Sequence, residues 1–184
     1  MNRVETGFPG LWVFEPKVFG DSRGFFMESW NQRVFDQAIG MPVHFVQDNH
    51  SRSAHGVLRG LHFQIEKPQA KLVRVATGAV QDVVVDLRSA SPTFGRHFSI
   101  ELSEHNRRML WIPEGFAHGF TVLSESADFL YKATEYYHPD GERCLAWNDA
   151  QLAIAWPPPP AHGYIVSDKD KTGAAFNPEG GYFP

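Results

Sequence analysis

The fold can be read from Lys71-Leu72-Val73-Arg74-Val75-Ala76-Thr77-Gly78-Ala79-Val80-Gln81-Asp82-Val83-Val84-Val85-Asp86-Leu87. Leu72 to Ala76 alternates with period two and stops at Thr77-Gly78. Val80 to Leu87 is rich in valine and stops at Arg88-Ser89. Branched side chains at this period suit a pleated, half-buried surface. Outward from this run the pattern repeats in Phe98-Ser99-Ile100-Glu101-Leu102, in Phe120-Thr121-Val122-Leu123 and in Phe129-Leu130-Tyr131. Turn signals, Ser91-Pro92 and Pro139-Asp140-Gly141, fall between the strands. The chain carries 16 glycines, 13 prolines and 14% aromatic residues, so turns are frequent and the fold class is all-β, a sandwich or a barrel.

Two segments have a helical pattern. In Glu28 to Ile39, the residues Trp30, Val34, Phe35 and Ala38 share a face. The second is expected from Asn148 or Asp149, either of which could cap it, to about Trp156, where Pro157 stops it. The four prolines 157–160 read as a stiff surface connection, and residues 1–184 as one domain. A small sheet must hide its edges by closure, by packing as two sheets, or against another subunit, which points to an oligomer.

Composition excludes several classes. The 184 residues are 42% hydrophobic and 21% charged, which is globular rather than disordered. A net charge of -4 does not suit a nucleic-acid backbone or an anionic membrane. The lone Cys144 allows no internal disulfide, zinc ribbon or iron–sulfur centre. Arg3, Glu5 and Pro9 with no apolar run after them do not read as a signal peptide, and the uncharged stretch 152–167 is broken by its prolines. The expected location is the cytoplasm, with no membrane partner.

Polar residues cluster in five places. Gln47 to Gln64 includes Arg59 and His62; on a regular strand Arg59 and Leu61 would face one side, Gly60 and His62 the other. Trp111 to Phe120 sets His118 in an apolar context, where it needs partners. Arg23-Gly24-Phe25-Phe26-Met27-Glu28 suits a planar ring plus an anion, or is a turn followed by core aromatics. Phe129 to Tyr137 holds Tyr131. Ser167 to Lys171 is a solvated charge run or part of a site. Pro113-x-Gly115-x-x-His118 resembles the second cupin motif, whereas His62-Phe63-Gln64 lacks the ligands of the first. A metal-free cupin cavity is therefore expected, with His62 available for proton transfer.

Taken together, these segments closely resemble the dTDP-4-dehydrorhamnose 3,5-epimerase family. The matching blocks are Phe14 to Asp21, Arg23 to Phe26, Phe45 to Ser51, Gly56 to Gln64, Lys71 to Arg74, Ser91 to Gly95, Trp111 to Phe120 and Ser167 to Asp170. The resemblance implies a cupin-type jelly roll, a homodimer, no metal and no organic cofactor. It implies a dTDP-4-keto-6-deoxy sugar as substrate, with His62 as base, Asp170 rather than Asp168 as its orienting carboxylate, Tyr131 as proton donor and Lys71 near the enolate oxygen. Arg59 and His118 would line the sugar and diphosphate site. Arg23, Phe26, Glu28, Gln47 and Asn49 would hold the nucleotide, Tyr137 would stack on thymine, and Glu142 and Lys169 would complete the binding set. Inversion at both C3 and C5 is the leading reading. The alternative is an enzyme that inverts only one centre in deoxysugar biosynthesis.

Overall fold

The computed structural model describes residues 1–184. In chain order the elements are β1 (Asn2–Glu5), β2 (Trp12–Glu15), β3 (Val18–Asp21), β4 (Gly24–Met27), α1 (Gln32–Ile39), β5 (Gln47–Ala54), β6 (Val57–Gln64), β7 (Lys71–Thr77) and β8 (Ala79–Asp86). Then come β9 (His97–Ser103), β10 (Met109–Ile112), β11 (Phe116–Val122), β12 (Ser126–Ala133), β13 (Glu142–Cys144), β14 (Ile165–Val166) and α2 (Asp168–Lys171). One sheet runs β1-β2-β10-β7-β12-β5. The other runs β13-β6-β11-β8-β9, with β14 parallel to β6. The β3–β4 hairpin forms a separate two-stranded sheet. Thr77-Gly78 thus hands the chain from one large sheet to the other.

The two sheets pack face to face as a jelly-roll sandwich. The period of two decides what goes inside. On β7, Val73 and Val75 face the core with Leu110 of β10 and Phe129 of β12; Val80 and Val84 of β8 meet them from the opposite sheet with Phe116, Phe120 and Val122 of β11. The same inward parity carries Lys71, Asp82, His118 and Tyr131, so at one end of the sandwich the apolar filling gives way to polar groups.

Helix α1 covers the outer face of the first sheet. Phe35 is fully buried against Phe14, Leu72, Met109 and Trp111. It starts later than the sequence pattern suggests, because the Asn31 side chain caps it by accepting from the Val34 amide at 3.2 Å. It ends at Gly40, whose φ of 88° suits glycine. The second expected helix does not form. Asp149 does accept from the amides of Gln151 and Leu152, at 2.8 and 3.1 Å, but only turns follow. The reason is periodicity: Leu152, Ile154 and Trp156 all pack on the same cluster, at a spacing of two rather than 3.6. This segment and the tail cover the outer face of the second sheet.

Candidate active site

The polar end of the sandwich holds two adjoining cavities of about 90 and 280 Å³. His62, Lys71, His118 and Tyr131 border both. His62 and His118 come from β6 and β11 of one sheet, and Lys71 and Tyr131 from β7 and β12 of the other. Phe120 and Phe129, stacked at 4.3 Å, border the larger cavity.

A bulge brings Arg59 and His62 to the same face. His118 pairs with His62 and Phe120 with Arg59, so β6 spends one residue more than β11 over this interval. The regular alternation expected from the sequence, with Arg59 and His62 on opposite sides, is overturned by that extra residue. The crossing is very close. A Cβ on Gly60, whose φ is 117°, would lie 2.5 Å from the Gly119 Cα, and one on Gly119 would lie 2.5 Å from the Arg59 carbonyl oxygen.

His62 Nε2 lies 2.5 Å from Asp170 Oδ1. Asp170 is 3% exposed and sits on α2, where its amide donates to Ser167 Oγ. Burial pushes its carboxyl up, but hydrogen bonds from His62, Ser167 and the Gly60 amide outweigh burial and hold it below the usual range. The ionised carboxylate accepts, so Nε2 carries the proton and Nδ1 is the basic atom. Asp168, by contrast, is exposed and pairs with Lys171.

His118 has its own carboxylate: Nε2 lies 2.9 Å from Asp82 Oδ2, with both residues buried. Sequence reading missed Asp82. Its signal was an acid at an inward position of a valine-rich strand. Lys71 is deprotonated more easily than usual, its pKa lowered to about 8 by burial, against the charges of Glu142 and Asp82. Its ammonium lies 5.7 Å from the centre of the Tyr131 ring. Burial and then the charge of Glu142 push the Tyr131 phenol up, so it holds its proton at neutral pH.

At the mouth, the Tyr137 hydroxyl donates to Glu142 Oε2 at 2.6 Å, and Lys169 pairs with the same oxygen. The Tyr137 amide donates to Gln47 Oε1 at 3.0 Å, and Gln47 donates to Asn49. Asn49 Nδ2 is buried without a partner, and Asn49 borders the larger cavity. Arg59 is exposed, and its Nε donates to Ser53 at 3.0 Å.

Arg23, Phe26 and Glu28 are not brought to this cavity. Arg23 pairs with Asp21 across the β3–β4 turn, Glu28 accepts from Asn31, and Phe26 is 70% exposed, so the aromatics of this segment are not core. Two further residues lie at this end that the sequence did not place there. Phe183 of the tail borders the smaller cavity. Cys144 pairs with His62 in the β13–β6 register, its thiol pushed up to about 11 by burial and the charge of Asp170.

The sequence model of the dTDP-4-dehydrorhamnose 3,5-epimerase family matches residues 5–178. The chain is 57% identical over 176 residues to the dTDP-4-dehydrorhamnose 3,5-epimerase of Pseudomonas aeruginosa, covering 96% of each chain. It is 54% identical over 172 residues to that of Escherichia coli, covering 93% of this chain and 92% of the other. Among solved structures it resembles the dTDP-6-deoxy-D-glucose-3,5-epimerase of Legionella pneumophila, crystallised with dTDP-4-keto-L-rhamnose. The TM-score is 0.91 at 49% identity, over 95% of this chain and 92% of that one.

Proposed function

The chain belongs to the dTDP-4-dehydrorhamnose 3,5-epimerase family, and from that footing we propose how its own residues divide the reaction. It is an isomerase that inverts C3 and C5 of dTDP-4-dehydro-6-deoxy-D-glucose, giving dTDP-4-dehydro-L-rhamnose for dTDP-L-rhamnose biosynthesis. The single-centre alternative is the weaker reading, because relatives at 54 and 57% identity bear the name of the 3,5-epimerase.

The C4 carbonyl acidifies the protons on C3 and C5, because the carbanion delocalises into an enolate. Inversion needs removal from one face and return to the other. One observation supports this division most: His62, held by Asp170 of α2, projects from one sheet and Tyr131 from the other, and His62 and Tyr131 border the same two cavities. His62 removes the proton through Nδ1, Asp170 holds the tautomer, and protonated Tyr131 returns a proton from the opposite face. Such positioned proton transfer contributes about 10²- to 10⁴-fold. Lys71, as the ammonium, stabilises the enolate oxygen, which gains charge only as the reaction proceeds. Arg59 and His118 meet the sugar and diphosphate. Tyr137, Glu142, Lys169, Gln47 and Asn49 hold the nucleotide as a remote handle that orients the sugar.

The β3–β4 hairpin fits a homodimer. It presents Phe19, Phe25 and Phe26 to solvent together with Arg23, and we assign it to the nucleotide end of a partner's site. Mixing Phe26→Ala and His62→Ala chains under subunit exchange then restores activity, since a mixed dimer has one intact site; no restoration would return the hairpin to its own chain. No helix is long and apolar enough to cross a membrane. The cytoplasmic location expected from the sequence belongs to the same reading.

The direct test is proton exchange. In D₂O, the chelator-treated protein exchanges both the C3 and the C5 proton of dTDP-4-dehydro-6-deoxy-D-glucose, followed by NMR. Exchange at one carbon only would make it a single-centre enzyme.

A further inference from the structure

We propose that Cys144, His62 and Asp170 together form a site for a soft divalent cation, Zn²⁺ or Cd²⁺, and that filling it switches the epimerase off; the inhibitory half rests on His62 being the base. A nitrogen of His62, the Cys144 Sγ and a carboxylate oxygen of Asp170 all lie within 4.8 Å of one another. Cys144 on β13 stands directly opposite His62 on β6, so both side chains leave the sheet on one side. The epimerase chemistry uses two of the three groups. The thiol has no task in it: it donates weakly to its neighbour's carbonyl, Leu145 O, at 3.4 Å, and the Leu61 amide donates to the sulfur.

The donor set suits zinc. Zinc takes nitrogen, carboxylate oxygen and thiolate at about 2.0–2.3 Å in a tetrahedron, which puts ligand atoms about 3.5 Å apart. The three atoms therefore need to move by about an ångström or less from where they stand. Asp170 is already held from behind by the amide of Gly60 and by the capped turn of α2, the kind of outer support that metal ligands use. A thiolate beside an imidazole selects zinc and cadmium over magnesium, calcium or manganese. The fourth position is left to water.

Binding has a defined proton balance. The Cys144 S–H bond breaks, the S–metal bond forms, and that proton goes to solvent. Coordination through His62 Nε2, the nitrogen that already faces Asp170, moves the ring proton to Nδ1. The lone pair that would take the C3 or C5 proton is then occupied, and exchange stops without loss of the fold.

The test uses the full-length, chelator-treated protein and two readouts. With Cd²⁺ alone, sulfur-to-cadmium charge transfer adds an ultraviolet band that saturates at one equivalent. With Zn²⁺, exchange of the C3 and C5 protons falls by at least about tenfold and returns on adding chelator, whereas Mg²⁺ has no effect. Cys144→Ser keeps the metal-free exchange rate, loses the cadmium band and needs at least about tenfold more Zn²⁺ for the same inhibition. No cadmium band in the parent protein, a band that survives in Cys144→Ser, or equal zinc inhibition of both proteins overturns the site. A metal-free parent that exchanges neither proton overturns the role of His62 instead, while the cadmium band still reports on the site.

Discussion

The roles proposed for His62, Tyr131 and Lys71 are separable, and single substitutions tell them apart. His62→Ala lowers exchange at both carbons by about 10²- to 10⁴-fold while dTDP affinity, measured by calorimetry, stays within a few-fold. Tyr131→Phe still loses the C3 and C5 protons to D₂O, but inverted product forms more slowly than exchange; equal rates would remove Tyr131 from the mechanism. In its proposed role, Lys71 sets an alkaline limb. Its pKa of about 8 means the ammonium is lost above that pH, and kcat/KM falls there. Stability moves the other way. The folded state binds fewer protons than the unfolded one between about pH 8 and the ordinary lysine value, so stability rises with pH across that window, and Lys71→Met flattens the rise in denaturant titrations. At this scale a polar residue that interrupts an apolar alternation marks His118 and Tyr131 in the sequence, although Asp82 carries the same signal and was passed over. Asp170 and Asp168 were distinguished by resemblance alone, since nothing in a run of four alternating charges says which acid turns inward.

Strands were read from their alternation, and every strand singled out in the sequence is present. What alternation could not reveal is the extra residue on β6, because a bulge leaves no trace in the hydrophobic pattern. It is nonetheless what puts Arg59 beside His62. Gly119→Ala tests the close crossing it creates. The added methyl would meet the Arg59 carbonyl at 2.5 Å, so we expect a loss of about 1–3 kcal/mol in chemical denaturation together with a loss of activity. The expected helix after Asp149 failed for the complementary reason: its cap is real, yet packing of Leu152, Ile154 and Trp156 demanded a period of two. The tail is a third case. Phe183 packs on Phe63 at 6.1 Å and borders the smaller cavity, although no local pattern marked it. Phe183→Ala should raise KM several-fold with little change in kcat. A fall in melting temperature with unchanged KM would make it a purely structural residue.

For the whole molecule, the all-β sandwich was legible from composition and spacing, while the assembly of the site was not. The hairpin of Arg23 and Phe26 is an instance: its residues stand exposed and away from their own chain's cavity, and no local pattern marks that. Size-exclusion chromatography with light scattering should give twice the chain mass, and a monomer that retains full activity would contradict the assignment of the hairpin.

The passage of the chain between sheets at Thr77-Gly78 has a kinetic side. Few neighbours in either large sheet are neighbours in sequence: β2 lies beside β10, β5 beside β12, β6 beside β11 and β13. Loops must close before these pairings reward them, so refolding belongs to the slow, milliseconds-to-seconds regime of non-local topologies. His62 and Asp170 are 108 residues apart, so their contact closes a long loop. Recovery of proton exchange after dilution from denaturant should therefore trail the return of the far-ultraviolet signal, making catalysis itself the clock for the final step of folding.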